Sequence, residues 1–134
     1  MEPREESTEL GAPQRPSWHW LLLSAALHAT LWLPLVVLML PLGAMGVMGS
    51  CAMAGVIAGY LVARFAPVHP VRLSVLGSSI AATLFWAWAA ASGALRPWPV
   101  ALGAWLGANA IWALAAAAGG KVGQWSRNRR QKQD

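Results

Sequence analysis

The chain has 134 residues, of which 57% are hydrophobic and only 11% are charged, and its formal net charge is +5. Because soluble domains carry about 25% charged residues, this composition argues against a water-soluble core. The single cysteine, Cys51, excludes an internal disulfide and any multi-cysteine metal site.

The chain begins with a polar segment, residues 1–17, that we predict to be a disordered head. Its four glutamates and Asp134 are the only acidic residues, so residues 10–133 contain no carboxylate side chain. The head is acidic, and the apolar run that follows is too long for a signal-peptide core. We therefore expect no cleaved signal peptide.

Residues 18–120 are predicted to form a transmembrane domain of four helices in two hairpins. A membrane helix needs about 20 apolar residues, and lipid cannot satisfy an open backbone. The apolar runs are separated by "LPLG", "RFAPVHPVR" and "GALRPWP" and end at Gly119 and Gly120. The predicted spans are 20–40, 43–63, 71–92 and 98–118.

An alternative interpretation joins residues 20–63 into one long kinked helix. Pro41 and Gly43 argue against it, because the pair breaks a helix. A helix of that length would also cross the bilayer about twice over. We therefore expect a turn at this point and an all-α bundle of four membrane helices.

The orientation of the bundle follows from the positions of lysine and arginine. Cytoplasmic segments of membrane proteins carry an excess of these residues. With both termini inside, only Arg96 lies outside. The inner side then holds the other nine basic residues: Arg4, Arg15, Arg64, Arg72, Lys121, Arg127, Arg129, Arg130 and Lys132. The sequence predicts that both termini are cytoplasmic.

Small residues recur every four positions in two of the spans. The second span carries Cys51, Gly55, Gly59 and Ala63, and the fourth carries Gly103 and Gly107. Membrane helices associate through close packing, and small residues let two backbones approach. We predict that these six positions are helix contact faces. The spacing leaves open whether the contacts lie within one chain or between chains.

A few polar side chains lie at a common depth within the spans. A rise of 1.5 Å per residue places His28, Ser78, Ser79 and Asn109 roughly 11–14 Å from the inner edge of the hydrocarbon. Polar groups at this depth are expected to face the bundle interior. One interpretation is a proton- or solute-handling layer centred on His28. The other is a structural hydrogen bond from His28 to Asn109 or a serine.

The chain ends in a basic segment, residues 121–134, which we predict to be a cytoplasmic tail. Directly after an apolar span, such a segment is expected to meet anionic inner-leaflet headgroups and not nucleic acid. Trp125 within it is compatible with either a short surface helix or a disordered tail. The basic residues expected at headgroups are Arg64, Arg72, Lys121, Arg127, Arg129, Arg130 and Lys132.

The stretch "AGYLVARFAPVHPVRLSVLGSSIA", residues 58–81, resembles a pattern in small four-span bacterial membrane proteins of uncharacterised function. In that pattern a glycine-rich helix ends in an arginine, and a proline-containing loop leads to a helix with glycine and serine. The resemblance implies a four-span architecture in a bacterial inner membrane and no activity. Phage holins are similar in outline, being short, multi-span and basic at the end.

Several features that specific functions require are missing from the sequence. The spans contain no carboxylate, which argues against a carboxylate-coupled small multidrug transporter. The motifs HExxH, GxSxG and the Walker loop do not occur. We expect a non-enzymatic accessory subunit without a cofactor that associates with another membrane protein or with itself. The alternative is a holin-like pore or a small-solute transport protein.

Overall fold

The structure, a computed structural model, describes residues 18–93 and 98–132. These residues form four long helices and one short 3-10 turn, with no strand among them, which confirms the all-helical prediction. The elements in chain order are α1 (Trp18–Met39), the turn Leu40–Leu42, α2 (Gly43–Phe65), α3 (Pro70–Ala91) and α4 (Trp98–Arg130). The predicted head, residues 1–17, and Arg96, the one basic residue expected on the outer side, lie outside the described residues.

The described chain contains apolar helical segments of membrane-spanning length, as the composition predicts. Three segments qualify: Trp18–Phe65, Pro70–Ala91 and Ala101–Arg130. The first is 48 residues long and comprises α1, the 3-10 turn and α2. Only 11% of its most apolar 18-residue stretch is buried. Most apolar side chains of this segment therefore lie on the outside of the bundle.

Helices α1 and α2 fold back on each other as an antiparallel hairpin. Pro41 occupies the start of the 3-10 turn, and Gly43 has a φ of 62°, a backbone angle that favours glycine. Trp20 near the start of α1 shares a groove with Phe65 at the end of α2. Because the two far ends meet, the segment is not one continuous kinked helix.

A tight turn joins α2 to α3. His69 lies in the left-handed region with a φ of 45°, and Pro70 is the first residue of α3. The amide of Leu73 donates to the His69 carbonyl oxygen at 3.0 Å, which closes the first turn of the helix. Proline suits this position because its missing amide would have no partner there.

The four helices pair in two parallel sets. On α2 and α4, Gly55 lies against Trp112 and Gly59 against Ala116. On α1 and α3, the Ser24 hydroxyl donates to the Leu73 carbonyl oxygen at 3.0 Å. About two turns further along α1, Trp32 contacts Phe85 of α3. The residue numbers rise together in both sets, so the paired helices run in the same direction. Two antiparallel hairpins packed in register produce this arrangement.

The interior of the bundle consists mostly of small side chains. Ala54, Ala58, Ala63 and Ala116 are completely buried. Large aliphatic side chains lie on the outside, where they are more than half exposed: Leu22, Leu33, Val37, Leu38, Leu84, Leu106 and Leu114. Lipid tails are as apolar as these side chains, so exposing them to a bilayer carries no hydrophobic penalty.

Helix α4 is longer than the predicted fourth span. It does not end at Gly119 and Gly120 but continues to Arg130, for 33 residues in all. A helix of this length extends about 50 Å, whereas the hydrocarbon core is about 30 Å thick. The last turns of α4 therefore extend beyond the apolar part of the bundle, and Trp125 lies within this continuous helix.

Candidate functional site

The small residues of α2 form a close seam with α4. A Cβ at Gly55 would lie 2.9 Å from the Trp112 carbonyl oxygen, and a Cβ at Gly59 would collide with the Ala116 carbonyl group. Cys51 and Ala63, at the two ends of the same stripe, are 3% and 0% exposed. The stripe is therefore used within this chain.

The seam between α2 and α4 extends beyond the predicted stripe, to Gly119 and Gly123 of α4. A Cβ at Gly119 would collide with the Val56 carbonyl group, and one at Gly123 would lie 2.6 Å from the Tyr60 carbonyl oxygen. The predicted helix end at Gly119 is therefore wrong, because glycine in a membrane helix also marks close packing. The four-residue spacing of Gly119 and Gly123 is the sequence signal for this packing role.

The second pair of predicted contact residues lies elsewhere on α4. Gly103 and Gly107 have no neighbouring atom within 4 Å of where a Cβ would stand, among the atoms of the described chain. Leu102, Leu106 and Leu114 on the same helix are more than half exposed. Gly103 and Gly107 thus form an open notch on the outside of the bundle.

The predicted polar layer is divided between buried and half-buried positions. His28 and Ser78 are completely buried, whereas Ser79 and Asn109 are half-buried. Ser78 donates to the Val75 carbonyl oxygen at 2.8 Å, and Asn109 donates to that of Trp105 at 3.4 Å. The structure therefore does not bring these four side chains into one hydrogen-bonded group.

His28 forms its hydrogen bond within its own helix. Its Nδ1 lies 2.7 Å from the Ser24 carbonyl oxygen, one turn earlier on α1. Because a carbonyl oxygen only accepts, Nδ1 carries the proton and Nε2 of the neutral ring is left as an acceptor. This bond replaces the expected one to Asn109 or a serine, since the carbonyl one turn away needs no contact between helices.

An aromatic cluster surrounds His28 at the centre of the bundle. The ring centroid of Trp112 lies 6.2 Å from that of His28 and 5.7 Å from that of Trp32. Phe85 meets the Trp32 ring edge-on at 4.5 Å. His28 Nε2 and the indole nitrogens of Trp32 and Trp112 are buried without a hydrogen-bond partner. This cluster has no signal in the sequence, because Trp32 and Trp112 lie on different helices and only the fold brings them together.

Basic side chains collect at the end of the bundle where α2 meets α3. The Nη1 of Arg127 donates to the Ala66 carbonyl oxygen at 2.8 Å. In a continuing helix that oxygen would accept from residue 70, which is a proline without an amide hydrogen. Arg64 and Arg72 flank the same turn, and Arg129 stacks on Trp125 at 3.7 Å. All described lysines and arginines lie at this end, including the exposed Lys121, Arg130 and Lys132.

The described residues offer three chemical features: an open small-residue notch, a buried aromatic cluster with one histidine, and a basic end. They contain no group of three His, Cys, Asp or Glu side chains placed to hold a metal ion. Comparisons with protein-family models, curated proteins and solved structures find no match to this chain. Its function is therefore argued from these three features alone.

Proposed function

We propose that this chain crosses a bacterial inner membrane four times, with both termini in the cytoplasm. The support is the position of charge in the fold. Every described lysine and arginine lies at the end formed by the α2–α3 turn and the last turns of α4. Hydrophobic side chains cover the flanks of the bundle. The excess of basic residues at one end is typical of the cytoplasmic face.

The role that the geometry supports best is that of a non-enzymatic accessory subunit. It binds another membrane protein, or a second copy of itself, through the open notch of Gly103 and Gly107. The α2 stripe cannot serve this purpose, because Gly55 and Gly59 already contact α4. The observation that carries the proposal is the empty space over Gly103 and Gly107 on a helix face that is otherwise covered by exposed leucines.

The proposal predicts that Gly107→Leu weakens association, because the new side chain fills the notch. Energy transfer between two labelled copies in proteoliposomes measures self-association, and co-purification in mild detergent measures a bound partner. Overpacking of about 1–3 kcal/mol would weaken binding by roughly fivefold to 150-fold. Ala26→Leu is the matched control, since Ala26 is exposed on α1, away from the notch. Equal association of the wild type and Gly107→Leu would contradict the proposed interface.

A second candidate is a holin-like or small-solute pore. Its specific support is the set of three unpartnered nitrogens on His28, Trp32 and Trp112 at the bundle centre. A buried polar atom without a partner costs free energy in an apolar environment. A solute passing through the bundle would supply partners, but the aromatic rings would first have to move apart. The accessory role needs no such movement and is therefore preferred.

A further inference from the structure

The last turns of α2 lie beside α4, and the outer edge of the seam between the two helices carries several polar side chains. Gly123 brings the backbone of α4 against the Tyr60 carbonyl group. Ser126 and Arg130 follow Gly123 by three and seven residues, so they lie on the same face of α4. Arg64 follows Tyr60 by one turn of α2. The close approach at Gly123 therefore sets two pairs of polar side chains opposite each other.

The phenol oxygen of Tyr60 is the centre of this group of polar side chains. The Nη1 of Arg64 donates to Tyr60 Oη at 3.4 Å. The Ser126 hydroxyl and the charge of Arg130 also lie near the phenol. Tyr60, Arg64 and Ser126 are half-buried and Arg130 is exposed, so the group is open to a ligand. Phosphate oxygens accept hydrogen bonds from guanidinium groups and hydroxyls.

The charge of this cluster is not balanced by the described part of the chain. Residues 18–93 and 98–132 contain no aspartate or glutamate. The charges of Arg64 and Arg130 both act on the Tyr60 phenol, and like charges gathered around one group repel. An anion bound beside Tyr60 would reduce this repulsion.

An apolar groove leads away from the same cluster toward the middle of the helices. It has a volume of about 290 Å³, and Tyr60 forms one end of it. Its remaining lining residues come from the same two helices: Val56, Ile57, Leu61, Ala118, Gly119 and Val122. A cationic cluster at the end of an apolar groove matches a phosphate headgroup attached to an acyl chain.

We propose that the α2–α4 seam binds one anionic phospholipid. The phosphate group lies between Arg64 and Arg130, within reach of the hydroxyls of Tyr60 and Ser126, and one acyl chain fills the groove. The inference rests on the proposed placement in a membrane and does not depend on the accessory role. It singles out four side chains among the many basic and polar groups at this end of the bundle.

The test compares two double variants of the full chain that remove the same charge. Arg64→Gln with Arg130→Gln removes the cluster, whereas Arg72→Gln with Lys132→Gln removes two exposed charges outside it. Native mass spectrometry in mild detergent measures binding of dioleoyl phosphatidylglycerol against dioleoyl phosphatidylcholine. We expect the first double variant to lose phosphatidylglycerol affinity about 25-fold and the second less than about threefold. Equal losses would mean diffuse attraction and would overturn the site.

The groove is tested separately with Ala118→Leu, which fills it from the lipid-facing side. We expect weaker binding of the dioleoyl lipid and unchanged binding of dihexanoyl phosphatidylglycerol, whose short chains do not need the groove. Complete displacement of the lipid by excess inorganic phosphate would show a simple anion site and contradict lipid binding. Failure of the wild type to insert into liposomes would instead contradict the membrane placement, so the two failures are distinguishable.

Discussion

Individual glycines in this chain differ in what surrounds them, although they look alike in the sequence. Gly59 lies directly against the backbone of Ala116, whereas Gly103 has only open space beside it. Glycine costs about 1 kcal/mol relative to alanine inside a helix of a soluble protein. That cost is offset at Gly59 by contact between α2 and α4. At Gly103 no contact within the described chain offsets it.

At this scale we predict that Gly59→Ala destabilises the bundle. The added methyl group would collide with the Ala116 carbonyl group. This group belongs to the backbone and cannot move away by a change of rotamer. Forced separation of two packed elements costs about 1–3 kcal/mol. Unfolding of the purified protein by SDS in mild detergent micelles, followed by circular dichroism, measures this loss.

Gly103→Ala is the control for the same chemical change. A methyl group there meets nothing within 4 Å among the described atoms, so the unfolding free energy should stay equal or rise slightly. A similar loss in both variants would show that helix propensity, and not contact with α4, determines the effect at Gly59.

Whole helices are positioned by where their ends find hydrogen-bond partners. The carbonyl of Ala66 loses the donor that a continuing helix would supply, because residue 70 is a proline. Arg127 supplies that donor from the last turns of α4. This bond and the contact of Gly123 with Tyr60 hold the extension of α4 against α2.

At the scale of the element, we predict that Arg127→Gln loosens the end of α4. Loss of the bond to Ala66 costs about 1 kcal/mol at this half-exposed site, which corresponds to about a fivefold increase in local opening. Hydrogen exchange of residues 124–132, followed by mass spectrometry, reports the change. Arg129→Gln is the control, because Arg129 stacks on Trp125 of its own helix. If both variants opened the segment equally, the contact with Ala66 would not be what holds it.

The helices themselves were predictable from the sequence, and their contacts were less so. Apolar runs broken by proline and glycine mark α1 to α3 to within a few residues, since lipid permits little besides helix. The end of α4 was not predictable in the same way. Glycine often terminates a helix, but Gly119 lies inside α4 and packs against Val56 of α2. Counting residues along a helix predicts how far Asn109 lies from the helix end, but not which side of the helix it lies on. The structure shows that the buried positions of α4 include Ala108, Trp112 and Ala116 instead.

The whole molecule is organised by the separation of three environments. Small side chains fill the interior, large apolar side chains cover the flanks, and the described charges gather at one end. Such a separation is the expected result when one solvent is hydrocarbon and the other is water with anionic headgroups. The proposed partner notch, lipid site and orientation all depend on the proposed membrane placement, in which an even number of crossings would leave both termini on the basic side.

The most direct test of the account locates the two termini of the full chain. Reporters fused in turn to each end, alkaline phosphatase for the periplasm and green fluorescent protein for the cytoplasm, measure the side on which each lies. We predict fluorescence without phosphatase activity at both termini, because cytoplasmic segments carry the excess of lysine and arginine. Phosphatase activity at either terminus would contradict the proposed four crossings or their orientation.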